Sequence, residues 1–370
     1  MWKEFLMNPF LLQYHSEHFC DREEEIEQLH ANVSNGINTV VYSPRRIGKT
    51  AMIMHFFHQL EESREFDTLY IDLFATKNLK DLINKLAREI LNKYYKKNFL
   101  EGIKIALRGL QANVSFSDDG IPQLSIGVGQ GQTQNTLETL FAYLENRRKP
   151  VVLAFDEFQE IAKYPERADA SLRTIIQHLH NVRCIYSGST MHMLTELFFS
   201  PSKPFYQSSA SLVIEKIDYD IYLSFIINEF SKKGKKITKP AATYLLDFTE
   251  HYTFYTQMIC NVSFYKTESR LELAEAKEIA RDYMENRKLD YYNIYNLLSE
   301  NQKKALIAIA KEDIVSKPTS IDFLMKYRLP SASSTLQAVN ALVDKEMVYK
   351  NRGEFTVYDV FLKRFIQLYL

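Results

Sequence analysis

Eight residues, Ser43-Pro44-Arg45-Arg46-Ile47-Gly48-Lys49-Thr50, constrain this chain more than any other stretch. They stand between an apolar strand pattern at 39–42 and an apolar helical pattern at 51–60. A turn between strand and helix points successive backbone N–H groups inward, and the helix start adds its own donors. Such a nest receives phosphate oxygens. Gly48 permits close backbone approach, Lys49 sets a mobile positive charge against β and γ phosphates, and Thr50 offers a hydroxyl to Mg²⁺. The spacing is that of a Walker A loop, with Ser43 where the pattern has glycine. Ser43 fits if its φ is negative, and Pro44 stiffens the turn. The competing reading is an ordinary basic loop.

A second element completes the chemistry. Val151-Val152-Leu153-Ala154-Phe155 is an all-apolar run that ends in Asp156-Glu157. Such a run suits a strand of a parallel sheet covered on both faces. Asp156 is the residue expected to hold Mg²⁺, directly or through water. Glu157 is placed as general base for an attacking water, a role that depends on positioning because an ordinary carboxylate is a weak base. Otherwise the two are an acidic pair at a helix N-terminus. Arg183-Cys184-Ile185-Tyr186-Ser187-Gly188-Ser189 suits the neighbouring strand, with Ser189 first and Ser187 second as the polar group that senses γ phosphate or orients water. Its competitor is a simple turn.

The totals exclude other classes. At 370 residues two or three domains are expected. Lys plus Arg and Asp plus Glu both number 46, so no global field points to nucleic acid or an anionic membrane. Cys20, Cys184 and Cys260 are too scattered for a zinc site or disulfide framework, and a reducing compartment follows. The N-terminus lacks the apolar core of a signal peptide, and no run reaches the roughly 18 apolar residues of a membrane span. A cytoplasmic protein with no membrane partner is therefore expected.

The rest of the chain reads as alternating strands and helices, then helices. Strands are expected at 68–72, 183–187 and 214–216, and helices at 77–94 and 170–179, which argues for an α/β fold. Residues 1–20 read as an extended lead-in. Asp21 is expected to cap a helix, with Glu24 completing the box and Ile26, Leu29 and Val33 sharing a face. Residues 111–135 interrupt the rhythm with a β-hairpin about Asp118-Asp119-Gly120. That hairpin is either a surface decoration or a lid or docking element. After 218 the pattern is helical, at 222–230, 239–249, 254–265 and 273–289. The basic run 232–236 is a solvated loop or an anionic contact. From 299, three short helices and a hairpin at 347–358 suggest a winged helix-turn-helix, closed by a helix at 360–370.

With these residues in place, the chain resembles the archaeal-type ATPases of the AAA+ superfamily, on the branch of signal-transduction NTPases with numerous domains. The resemblance covers roughly residues 8–370. It rests on Asn8-Pro9-Phe10, Phe19-Cys20-Asp21-Arg22-Glu23, the Pro-Arg-Arg form of the phosphate loop, Phe155-Asp156-Glu157-Phe158-Gln159, and Ser187-Gly188-Ser189 at the sensor-1 position. It implies a P-loop NTPase parallel sheet core at 1–217, a small helical lid at 218–295 and a winged helix at 296–370. It implies ATP or ADP with Mg²⁺ between core and lid. Phe19 and Arg22 would meet base or ribose, and Ser43 through Thr50 with Ala51 would cradle the phosphates. Three stretches depart from the family. Ser43 replaces glycine. Pro204-Phe205-Tyr206-Gln207-Ser208-Ser209 lacks the arginine usual after sensor 1. His251-Tyr252-Thr253-Phe254-Tyr255 lacks the Gly-x-Pro of the lid. Arg45, Arg46 and Arg173 are the cations to consider instead.

The expected function is Mg²⁺-dependent ATP binding with slow hydrolysis, a nucleotide-controlled switch acting on a protein partner as a monomer or small assembly. The alternatives are a nucleotide-dependent DNA-binding regulator and a degenerate nucleotide-binding scaffold for proteins. Residues 301–370 hold 11 Lys/Arg against 7 Asp/Glu. Gln337 and Asn340 are the candidate readers of bases in double-stranded DNA, with Lys326, Arg328, Lys350 and Arg352 on phosphates.

Overall fold

The computed structural model describes residues 8–94, 111–116, 122–127, 133–351 and 353–370. They divide into two compact units, 13–216, and 217–370 together with 8–12.

The first unit is a parallel α/β layer. Its elements in order are α1 (Glu23–Ser34), β1 (Thr39–Tyr42), α2 (Lys49–Ser63), β2 (Asp67–Asp72), α3 (Leu79–Tyr94), β3 (Gln111–Phe116), β4 (Pro122–Gly127), α4 (Thr133–Glu145), β5 (Val151–Asp156), α5 (Ala168–Ile176), β6 (Val182–Gly188), α6 (Met191–Phe199) and β7 (Ala210–Val213). The main sheet runs β2-β5-β6-β1-β7, and every pair in it is parallel. All six residues of β5 are buried. Fully burying a Val, Leu or Phe contributes about 1.5–3 kcal/mol each, so the strand that carries Asp156 is firmly rooted. Behind its tip, Phe158 packs on Tyr186 at 4.6 Å and edge-on to Phe205 at 5.3 Å.

Two expectations are corrected here. The cap of α1 is Arg22 at φ 86°, and it makes no side-chain capping hydrogen bond. Asp21 and Arg22 are both left-handed, and with the helix beginning at Glu23 Asp21 stands one position before the cap. The last strand is Ala210–Val213 rather than 214–216, because β1 sets the register through Thr39↔Ala210 to Tyr42↔Val213. Ile214 still donates its N–H to Tyr42 O at 2.8 Å. Strands β3 and β4 pair antiparallel as a hairpin, from Gln111↔Gly127 to Phe116↔Pro122. The expected turn at Asp118-Asp119-Gly120 and the polar tail through 132 lie outside the described residues, as do residues 1–7.

The second unit begins with helices α7 (Tyr219–Lys232), α8 (Lys239–Phe248), α9 (Thr253–Lys266), α10 (Leu273–Asn286) and α11 (Lys288–Asn296), with a short parallel pair of β8 (Lys236–Ile237) and β9 (Arg270–Leu271). This is the small helical lid. Two lysines of the basic run are engaged within the unit: Lys232 meets the buried Glu229, and Lys235 donates to the carbonyls of Phe264 and Thr267 at the end of α9. Asn8 is pinned to the same helix, donating to Asn261 O, while Asn261 donates to Phe10 O.

A winged helix-turn-helix follows: α12 (Glu300–Glu312), α13 (Ile321–Lys326), α14 (Ala332–Asp344), β10 (Val348–Asn351), β11 (Glu354–Val357) and α15 (Val360–Tyr369). Ser299, Ser320, Ser331 and Asp359 each cap one of these helices through a side-chain oxygen. The wing strands pair from Val348↔Val357 to Asn351↔Glu354, and Val315 bridges to Phe355 as a third edge. On α15, buried Lys363 reaches Glu250 at 2.5 Å and Asp313 at 3.1 Å, while Arg364 donates to Asp247 O and Phe248 O. These contacts tie the winged helix to the α8–α9 turn, so the two form one packed body.

Candidate functional site

In an open parallel sheet, ligands sit beyond the carboxyl ends of the strands. Here those ends belong to β1, β5 and β6, with β6 between the other two. The loop from Ser43 to Gly48 leaves β1 and enters α2. Gly48 takes φ 99° as the residue before the helix, and Arg46 takes φ 68°. Ser43 is not among the positive-φ residues, so serine fits where the usual pattern has glycine. It is buried and works inside the loop: its hydroxyl donates to Pro44 O at 2.8 Å. Lys49 Nζ donates to Ser43 Oγ at 3.2 Å, Ser43 O at 3.3 Å and Pro44 O at 3.2 Å. Ile47 is buried beneath the turn, and Ala51 follows in the first turn of α2.

Burial pushes the Lys49 ammonium down to about 8, against the opposing pull of Asp156 and Glu157. A cation so poorly solvated gains from any polyanion brought against it.

Asp156 collects four donors. Ser187 Oγ and the Glu157 N–H bond Oδ1 at 2.5 and 3.0 Å. Tyr70 Oη and Thr50 Oγ1 bond Oδ2 at 2.6 and 2.8 Å. Burial opposes the charge, but the hydroxyls of Ser187, Tyr70 and Thr50 and the Glu157 N–H together hold the carboxyl below its ordinary value. The donor set suits magnesium, which takes hard oxygen ligands. Thr50 Oγ1 and Asp156 Oδ2, joined here by a hydrogen bond, are the two hard oxygens that would hold it. Among the described residues, His15, Glu17 and His18 also bring ligand atoms within 4.8 Å of one another. Two imidazoles suit a softer ion than magnesium, and that trio does not line the cavity that holds Lys49 and Asp156.

Glu157 sits at φ 53°, ψ 41°, a left-handed conformation that costs free energy for a residue with a side chain. Its Oε2 accepts from Ser189 Oγ at 2.7 Å, Ser189 N at 3.3 Å and Gln159 Nε2 at 2.5 Å.

One cavity of 290 Å³ gathers Arg45, Arg46, Lys49, Thr50, Asp156, Glu157 and Ser189, with the exposed Phe74 on its rim. Of the three substitute cations, Arg45 and Arg46 line it and Arg173 does not. The segment lacking the family arginine does other work, because Phe205 is buried in the aromatic cluster behind β5 and β6.

Phe19 and Arg22, which the resemblance assigns to base or ribose, do not line this cavity. Phe19 stacks on His55 at 4.0 Å and lines a second cavity of 310 Å³ with Asp21, His30 and Gln59. Arg22 lines neither cavity. Its guanidinium is buried, bonded to Glu25 at 2.8 Å and to Glu215 O at 2.7 Å, where it fastens α1 to the chain leaving β7. Sequence reasoning missed Tyr70 and Phe74. Neither carries a motif, and only the pairing of β2 with β5 brings Tyr70 to the acidic tip.

Comparison with known proteins agrees with this architecture. A family model described as a probable winged helix domain matches 289–368. No curated protein matches the chain. A Walker-type ATPase of Pyrococcus abyssi shares the fold at TM-score 0.65 and 15% identity, over 97% of this chain and 100% of that one. The ORC2 protein of Aeropyrum pernix, solved as ADPNP–ADP complexes, does so at 0.61 and 13%, over 98% of each chain. The ORC1 protein of the same organism, solved in complex with DNA, does so at 0.54 and 12%, over 97% of this chain and 95% of that one. No helix among the described residues is long and apolar enough to cross a membrane. The model described as an ATPase domain predominantly from Archaea matches 19–220, the stretch that holds the phosphate loop, the acidic tip and the β6 terminus, and with more than half its length so matched the chain belongs to that family.

Proposed function

We propose that this protein binds ATP with Mg²⁺, hydrolyses it slowly, and lets the nucleotide state set how its winged helix meets duplex DNA. The nucleotide half is carried by one observation: Lys49, Thr50, Asp156, Glu157 and Ser189 line a single cavity at the ends of β1, β5 and β6. Lys49 and the loop amides would meet the β and γ phosphates. Thr50 and Asp156 would hold the metal, which neutralises charge shared between those phosphates. With Oε2 of Glu157 occupied by Ser189 and Gln159, Oε1 is left to accept the proton of an attacking water. Arg45 and Arg46 supply the remaining positive charge. The missing arginine beyond β6 supports slow turnover, which suits a switch because the lifetime of the bound state carries the signal.

The test is ATP and ADP affinity with and without Mg²⁺, alongside phosphate release. Lys49→Ala is expected to lose binding, and Glu157→Gln to keep binding and lose hydrolysis. Protein indifferent to millimolar adenine nucleotides ends this reading.

The DNA half rests on α14, whose exposed face carries Gln337 and Asn340, and on exposed Lys350 in the wing. Lys326 is paired with Glu312, and Arg352 lies outside the described residues. The fold likeness to a protein solved with DNA supports this half by analogy. Duplex affinity should fall linearly with the logarithm of salt, and Lys350→Ala should reduce that slope by about 1. A second reading, protein docking, is favoured by the exposure of Ile314, Ile321 and Met325 on the same domain. Duplex DNA that fails to bind at low salt would leave that reading standing.

A further inference from the structure

Gln159 is almost wholly buried, yet it touches the carboxylate assigned to water activation. Its Nε2 donates to Glu157 Oε2 at 2.5 Å. Its Oε1 is buried and has no hydrogen-bond partner. A folded protein rarely leaves a buried carbonyl unsatisfied, so the orientation needs a cause. Reversing the amide would set a carbonyl oxygen against a carboxylate oxygen, which is repulsive. The contact with Glu157 therefore dictates which way the amide faces.

The other side of the amide is held by backbone. A Cβ added to Gly188 would lie 2.1 Å from Gln159 Oε1. Only glycine leaves room for the carboxamide at that point of β6. Gly188 does not take positive φ, so its requirement here is space and not backbone freedom. The next residue, Ser189, supplies the other two donors to the same Glu157 oxygen. One buried amide thus wedges between the end of β6 and the first residue beyond β5.

We propose that Gln159, seated against Gly188, is a positioning residue that fixes the rotamer of Glu157 and so aims Oε1 at the attacking water. This rests on the hydrolytic reading above. Gln159 acts through Glu157 and leaves nucleotide binding alone, because Lys49, Thr50 and Asp156 make no hydrogen bond to it. Without the amide, Ser189 alone holds Glu157. A displacement near 1 Å in such a group costs about 100-fold in rate.

The experiment uses the full chain and reads phosphate release together with ATP affinity. Gln159→Met keeps the length and loses the donor. Its kcat should fall about 10- to 100-fold, with ATP affinity unchanged within about twofold. Gly188→Ala should reproduce that loss by evicting the amide. Combining Gly188→Ala with Gln159→Ala should cost no more than either alone, since the truncated side chain leaves room for the new methyl. Gln159→Glu adds a signature that a merely structural role lacks. Burial and the adjoining Glu157 carboxylate disfavour a second charge there, so the introduced acid takes up a proton at higher pH than an ordinary carboxyl and becomes a donor, and activity relative to the native protein should rise as pH is lowered. Unchanged or increased kcat in Gln159→Met overturns the proposal, as does loss of ATP binding in parallel with kcat. Failure of the hydrolytic reading shows separately, as absent phosphate release in the native protein. In that event crystal structures decide: Glu157 leaving Ser189 in Gln159→Met supports the positioning role, and an unmoved Glu157 refutes it.

Discussion

On the proposed reading, Lys49 should make nucleotide binding pH-dependent in a range where no phosphate group titrates. Burial is the main cause of its depressed value of about 8. A terminal phosphate has lost its last proton well below that, near pH 6. At pH 7 about a tenth of Lys49 is neutral in the free protein, at pH 8 about half, and at pH 9 about nine-tenths. The triphosphate favours the ammonium, so binding must return the missing proton. The sign follows: affinity is highest below the free-protein value and falls as pH rises through it. Between pH 7 and pH 9 the loss is about tenfold, or ~1.4 kcal/mol. Calorimetry in two buffers of different ionisation enthalpy should show about 0.5 proton taken up per nucleotide at pH 8. Lys49→Arg keeps its charge throughout this range and should abolish the uptake. Tight binding at pH 8 with uptake below about 0.1 proton would refute the claim that this ammonium is desolvated before the nucleotide arrives.

Tyr70→Phe removes the 2.6 Å donor to Asp156, one of the hydroxyls that lower its pKa. The carboxyl should then protonate at higher pH, so the acid limb of Mg²⁺-dependent phosphate release should move upward. Arg22→Met breaks its bonds to Glu25 and Glu215 O, and because Glu25 keeps some solvent the cost should be about 2–3 kcal/mol, or a melting point lower by about 5–10 °C. Its ATP affinity should change little, and a large loss would return Arg22 to the base-binding role that the resemblance implies. Lys363→Met leaves Glu250 and Asp313 without their shared cation, and should lower stability by about 2–4 kcal/mol. Because Lys363 joins the winged helix to the α8–α9 turn, calorimetry should show both melting together in one shifted transition.

How far the sequence could be read follows the distance over which each interaction acts. The phosphate loop is contiguous: an apolar strand, a turn and the helix that begins at Lys49 all lie within about two dozen residues, and local backbone chemistry is enough to recognise it. The buried β5 ending in Asp156 and Glu157 is local in the same way, and so are the serine caps of the winged helix. Other features depend on which strands become neighbours. Tyr70 reaches Asp156 only because β2 pairs with β5, and Gln159 is wedged only because β6 brings Gly188 beside it. Arg22 belongs to a stretch that the resemblance ties to the base, and only the return of the chain beyond β7 brings Glu215 O to its guanidinium. Asp21 had the composition of a cap, but the helix begins at Glu23 and leaves Arg22 in the capping position. Phe205 sits where the resemblance expects an arginine nearby, and packing against Phe158 and Tyr186 gives that segment its role. Residue order along the chain therefore determined the parts of the candidate site, since each is built from consecutive residues. Sheet order decided which side chains aim and tune those parts, because hydrogen bonds and close packing act only across a few ångströms, and residues far apart in sequence come that close only in the folded chain.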